Sequence, residues 1–176
     1  DALNIIQSGF HLQGLSIENA FSDGLDSDFS EGVIKNSFFD NIGGDGVDFS
    51  GSNVEVFGSK LSKIRDKAIS VGEASKVHIE DVYIKNSGVG IASKDGSSVG
   101  AKKINILDYE LSAIMTFSKK NFYGSPSLNG EDIRIQPLNE NSLMAQTGSS
   151  MVIDDSKVQA QEIDVEALYQ TATMKK

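Results

Sequence analysis

The stretch from Asp23 to Lys67 reads DGLDSDFSEGVIKNSFFDNIGGDGVDFSGSNVEVFGSKLSKIRDK and contains two near-copies of one unit. Asp23-Gly24-Leu25-Asp26 returns as Asp45-Gly46-Val47-Asp48, an offset of 22 residues. Ile34, Phe39 and Ile42 return at the same offset as Val56, Leu61 and Ile64. A fixed period of about twenty residues is the signature of stacked coils, each too small to bury its own apolar face.

The period extends both ways. A small residue followed by an aliphatic one recurs as Ala2-Leu3, Gly24-Leu25, Gly46-Val47, Ala68-Ile69, Gly90-Ile91 and Ala113-Ile114. Two further columns follow in each coil, Leu12/Ile34/Val56/Ile79/Ala101 and Ile17/Phe39/Leu61/Ile84/Ile106. Within each column the apolar residues alternate with polar ones, and runs of Gly, Asn, Asp and Ser separate the columns. That pattern describes short half-buried strands joined by turns. No coil sustains a 3.6-residue period, so helices are not expected there.

These columns predict an all-β fold: a right-handed, single-stranded parallel β-helix with about 22 residues and three short strands per coil. A leucine-rich repeat has one strand too few. Asn19 and Asn41 stack at a turn with Lys63, Asn86 and Asp108 in register, a position suited to left-handed backbone. One domain over residues 1–176 is expected, with regular coils over 2–124, irregular last coils and a cap over 125–170, and a tail over 171–176. Pro126 to Asp132 reads as an inserted loop. Val158 to Tyr169 reads as a last irregular coil or a short cap over the solenoid's open end.

The chain has 176 residues, net charge -9 and no cysteine. This excludes disulfides and thiolate metal sites, and argues against nucleic acid as the main partner. The charge is polarised, with nine acidic and one basic residue from Glu18 to Glu55, then nine basic and five acidic from Lys60 to Lys103. No apolar run is long enough to span a bilayer, so no transmembrane segment is expected. The chain starts at Asp1 without a basic-then-apolar leader, and reads as a processed chain or part of a larger exported protein, at a bacterial surface, in the periplasm or secreted.

The residues resemble the broad right-handed β-helix group of carbohydrate-binding and sugar-hydrolase repeats. That group, whose fold is pectate-lyase-like, also includes periplasmic copper-site maturation proteins of the NosD type. The resemblance covers roughly Ala2 to Phe122 and implies a carbohydrate-facing solenoid. Asp45-Gly46-Val47-Asp48-Phe49 is also similar to the Asp-Asp-Gly-x-Asp calcium segment of one polysaccharide lyase family, in which a lysine is the base; Gly44 stands where the first Asp would be.

In register, Asp26 and Asp48 form an outward pair, and Asp23 and Asp45 form an adjacent outward or turn row continued by Lys67. Two carboxylates about 4.8 Å apart repel by about 0.9 kcal/mol in water and roughly 3.5 kcal/mol at an effective dielectric of 20. Calcium, which accepts several carboxylate oxygens in flexible geometry, is therefore a candidate ligand of these four. Asp-Gly turn chemistry with ordinary surface pairing explains the same residues. Lys67 and Lys94 border the row and are the candidate catalytic bases; Asp26, Asp48, Glu73 and Asp95 are candidate substrate-binding residues. His11 and His78 fall on one outward column three coils apart, too far to share a metal. Phe38, Phe57 and Tyr83 alternate with inward residues and are candidates for sugar stacking or for covering by a partner domain. Three functions remain open: a polysaccharide-binding module, a calcium-dependent uronate-processing lyase, and a structural or interaction solenoid.

Overall fold

The computed structural model describes residues 1–171 together with Thr173 and Met174. It is a parallel β-solenoid of about seven turns, with about 22 residues per turn. Three faces run along it. On the first face, Leu3–Ile6, Leu25–Asp28 and Val47–Ser50 pair in parallel, and the row continues into the ends of Lys60–Gly72, Lys76–Lys94 and Ser98–Phe117. On the second, Gly9–Gln13 pairs with Glu31–Lys35, and that with Asn53–Phe57. On the third, Ser16–Glu18 pairs with Phe38–Ile42, which pairs with the start of Lys60–Gly72. The three later strands are long because they run on round the corners, with a shift of register between Ser87 and Val89.

The expected columns are the observed registers. Leu25, Val47, Ile69, Ile91 and Ile114 stand in line on the first face, each at most 1% exposed. Ile34, Val56 and Ile79 line the second and Phe39, Leu61, Ile84 and Ile106 the third, all in one core.

Each turn of the chain needs three corners, and each corner carries a residue in left-handed backbone. The column Asn19, Asn41, Lys63, Asn86 and Asp108 has φ from 52° to 61°. Asn41 Nδ2 donates to Asn19 Oδ1 at 2.7 Å, so the amides stack as well as turn. Two further left-handed columns, Phe29/Gly51 and Gly14/Asn36/Gly58, make the other corners. Serines satisfy backbone donors there. Ser30 Oγ accepts from Ser8 N–H at 3.0 Å, Ser52 Oγ from Ser30 N–H at 3.0 Å, and Ser75 Oγ from Ser52 N–H at 2.9 Å.

Two expectations about the second half are corrected. Pro126 to Asp132 is not a loop: Ser127–Gln136 is a strand that pairs with Ser98 to Leu107. The step there is 29 residues, and the extra length falls between Phe117 and Ser127, around a short 3-10 turn at Asn121–Tyr123. The expected tail over 171–176 is also revised, because Met174 is fully buried; Ala172, Lys175 and Lys176 lie outside the described residues. Of the two readings of Val158 to Tyr169, the last irregular coil is the one seen at Ala160–Gln161. Ala160–Gln161 adds a last rung beside Ala145 and Gln146, and a single helical turn, Val165–Leu168, then packs on the outside of the first face. Among the described residues no helix is long and apolar enough to cross a membrane.

Candidate functional site

The outward column of the first face runs Asn4, Asp26, Asp48, Ser70, Ala92, Met115 and Met144. It changes from polar to apolar between Ser70 and Ala92. The apolar half lies under the C-terminal segment, where Val165, Leu168, Tyr169 and Met174 pack with Val89, Ala92, Met115 and Phe117. A small cleft of about 170 Å³ opens at the border. It is lined by Asp45, Asp48, Lys67, Glu73, Lys94, Asp95, Lys119, Lys120 and Tyr169, with Ser50 and Gly72.

The cleft gathers six of the eight residues singled out from the repeat arithmetic: Lys67, Lys94, Asp45, Asp48, Glu73 and Asp95. Asp26 lies one rung below Asp48 and outside the cleft. Asp23 is buried, and its Oδ1 accepts the Asp45 N–H at 2.7 Å. Asp45 repeats the motif: its Oδ1 accepts the Lys67 N–H at 2.9 Å. These two aspartates were expected in an outward or turn row. They take the turn alternative: each lies at a corner and caps the backbone one coil on. Among the described residues no group of three or more His, Asp or Glu side chains is placed to hold a metal ion.

Lys67 was expected at the border of the row and is instead buried, 1% exposed. Its Nζ lies 3.0 Å from Asp45 Oδ1 and 2.5 Å from Asp66 Oδ2. Lys94 lays its stem across Gly72, where a Cβ would stand 3.4 Å from Lys94 Cε, and brings Nζ to 3.8 Å from Asp48 Oδ1. Beside them Glu73 accepts hydrogen bonds from Lys120 Nζ and, at 3.0 Å, from Tyr123 Oη. Asp95 Oδ1 accepts the backbone N–H groups of Lys119 and Lys120 at 2.7 and 2.6 Å, which fixes the inserted turn against the face.

The protonation states follow from these contacts. Burial presses the Lys67 ammonium toward neutrality, but the Asp45 carboxylate, with Asp66 behind it, outweighs burial and holds the pKa above its ordinary value. Lys94 shows the same balance, with Asp48 overcoming burial and its pKa raised above the ordinary value. Both lysines are therefore ammonium ions at neutral pH, the opposite of what a proton-abstracting base requires. Burial, reinforced by the Asp45 charge, pushes the Asp66 carboxyl up to about 6. The hydrogen bond from Lys120 keeps Glu73 below the usual carboxylate range.

Repeat arithmetic did not point to Asp66, Lys119, Lys120, Tyr123 or Tyr169. The first lies beside a predicted candidate, and the Lys119-Lys120 pair sits at the point where the period breaks. Tyr169 reaches the cleft only through the fold-back of the C-terminal segment.

The remaining candidates lie elsewhere. His11 and His78 do share a column, separated by Val33 and Glu55. His78 borders an open groove of about 680 Å³ with Gly100, Asn129, Lys102 and Glu131 on the second face. Phe38 and Tyr83 are 38% and 37% exposed on the third face with Lys60 between them, while the Phe57 ring lies 5.8 Å from His78, so the three do not form one platform.

A single-stranded solenoid with three parallel faces and a charged cleft on one flank defines a β-helix domain. The family described as the right handed beta helix region matches residues 23–166, and the chain belongs to it. No curated protein and no solved structure matches the chain.

Proposed function

We propose that this β-helix domain binds extended polysaccharide, with one sugar unit of the chain seated in the flank cleft, as a non-catalytic module of an exported protein. The observation that carries the reading is the convergence of Asp48, Glu73, Lys94, Asp95 and Lys120 beside the Tyr169 and Tyr123 rings. Carboxylates and ammonium groups supply acceptors and donors for sugar hydroxyls, and a ring supplies an apolar face. With four lysines and four carboxylates lining it, the cleft has no strong preference by charge sign. Retention of the chain in native gels cast with neutral and acidic polysaccharides tests the reading. Glu73→Gln or Lys94→Gln should weaken retention about tenfold, the worth of one hydrogen bond to a charged group. Equal mobility in all gels would refute it.

The second reading, a calcium-dependent uronate lyase, is favoured by the approach of Asp48 to Lys94 in one cleft. It requires calcium to raise the melting temperature by linkage and Asp26→Asn with Asp48→Asn to abolish that rise. It also requires unsaturated, ultraviolet-absorbing product from acidic polysaccharide. The charged state of both lysines weighs against it. A third reading, a structural solenoid whose partner is another domain of the same protein, is what remains if neither polysaccharide nor calcium binds.

A further inference from the structure

We propose that the C-terminal segment, from Val165 to Thr171 with Thr173 and Met174, is a lid that opens and closes over the Lys67 cluster while the solenoid stays folded. The inference concerns the regulation of the same cleft. It takes the sugar reading as its functional context and stands on packing that does not depend on it.

The segment is attached differently from everything else on the flank. Strands of the solenoid are held by backbone ladders, on both sides in the middle rungs and on one side at the first and last rungs. The backbone N–H groups of Leu168, Tyr169, Gln170 and Thr171 all donate back into the segment itself, to Asp164, Val165, Ala167 and Leu168. Among the described residues, the last backbone-to-backbone bond to the solenoid before it is Thr147 N–H to Gln161 O at 2.9 Å, and the Ile163 carbonyl accepts from the Gln146 side chain at 3.4 Å. A helix of four residues, even with Asp164 Oδ1 accepting the Ala167 N–H at 2.9 Å, does not persist without a surface to lie on. What holds it is side-chain contact: Val165, Leu168, Tyr169 and Met174 on the apolar half of the flank, and a Thr173 Oγ1 bond to Glu110 Oε2 at 2.9 Å. Elements fixed by few buried side chains and no ladder open at far lower free energy than the core.

What the lid covers is chemically distinct. The Tyr169 ring lies 5.8 Å from Lys67 Nζ and 4.0 Å from Lys119 Nζ, and packs edge-on at 6.3 Å from Phe117. It lines both the cleft and a neighbouring hollow of about 500 Å³ beside Ser118, Lys119 and Asn121. Lifting the segment removes the wall between the two and the apolar cover from a lysine that is 1% exposed. Closed, the lid leaves a cleft of about 170 Å³, room for one sugar ring; open, it admits a chain along the flank.

Amine acylation read by mass spectrometry at Lys67 tests this, with Lys63, whose side chain is 62% exposed, as an internal reference. The expected result is modification of Lys67 in native buffer that is slower than Lys63 but much faster than global unfolding, and nearly independent of low denaturant. Leu168→Ala should accelerate it at least tenfold, leaving the Lys63 rate and the unfolding midpoint of the solenoid unchanged. Lys67 labelling at the rate of global unfolding, together with hydrogen exchange of the Leu168, Tyr169, Gln170 and Thr171 amides at that same rate, would overturn the lid. A Leu168→Ala midpoint that falls in step with the labelling rate would also overturn it, since the segment would then belong to the cooperative core. No polysaccharide enters this assay, so failure of the binding reading would show in the gels and leave the labelling result standing.

Discussion

Replacing Asp66 by Asn should stabilise the protein at neutral pH and do nothing in acid. The Asp66 side chain is 5% exposed, its Oδ2 lies 2.5 Å from Lys67 Nζ, and its Oδ1 is buried with no hydrogen-bond partner among the described residues. Burial and the Asp45 charge raise the carboxyl to about 6 from 3.8 in the unfolded chain. A carboxyl whose pKa is raised by folding binds its proton more tightly in the native state. Its contribution is fully present below the unfolded pKa and is lost as pH rises through the folded one. Between 3.8 and about 6, at 1.36 kcal/mol for each pH unit, ionisation costs the native state about 3 kcal/mol. Asn keeps the shape without the charge. Lys67 stays protonated in the variant because Asp45 is the larger of its two carboxylate partners. Urea denaturation of both proteins from pH 3.5 to pH 8 reads the effect. The curves should coincide near pH 3.5 and diverge between pH 4 and pH 6. By pH 8 the variant should be more stable by about 2–3 kcal/mol, allowing for imperfect fit of the amide. A variant less stable than wild type at pH 8, or a constant difference across the range, would refute the reasoning. The Asp66–Lys67 contact would then be a net source of stability.

Val47→Ala, which opens a gap in the Leu25–Val47–Ile69 stack, should cost about 1–3 kcal/mol by chemical denaturation. Asn41→Val should cost about 1–3 kcal/mol, because a β-branched residue resists the φ of 56° and the 2.7 Å amide bond is lost; Asn41→Gly should cost less, as it keeps the backbone free to turn. Severing the exposed Lys102–Glu131 pair with Lys102→Ala should change stability by under about 0.5 kcal/mol, and a larger loss would mean that the second face is less exposed than it looks.

The fold was legible because a solenoid writes its geometry into the chain: each inward position of the first face recurs 22 or 23 residues on until Ile114. The asparagine corner was legible for the same reason. The serine staircase at Ser30, Ser52 and Ser75 was equally periodic, but serine at a turn is common enough to carry no signal by itself. The insertion after Phe117 was misplaced because Pro126 and Gly130 look like loop residues, whereas Gly130 is a strand residue packed against Ile133 and Ile153. The C-terminal segment could not be placed, since its apolar residues answer a stripe on the flank at Ala92, Met115 and Met144 that reads as outward, and hence solvent-facing, until something is found to cover it.

The aspartate row shows where register arithmetic stops. Column spacing puts Asp23, Asp45 and Lys67 on one line, and like charges at strand spacing call for a cation, a raised pKa or a compensating lysine. The structure shows the lysine, with backbone donors beside it. Each aspartate reaches to the N–H of its successor, so its charge is met by a donor every coil, at 2.7 Å for Asp45 and 2.9 Å for Lys67. The ladder ends because the third residue is a lysine. Its backbone takes the last carboxylate and its own Nζ turns back to the same Asp45 Oδ1 at 3.0 Å, closing the column with the opposite charge. The cost of burying that ammonium falls on Asp66, which is drawn in as a second counter-ion, and on Tyr169, which keeps water off. A column of aspartates capped by backbone N–H groups and ended by a lysine thus meets its carboxylates from within the fold while keeping a net negative formal charge, and the polar groups that line the cleft lie further up the solenoid, at Glu73, Lys94 and the inserted turn.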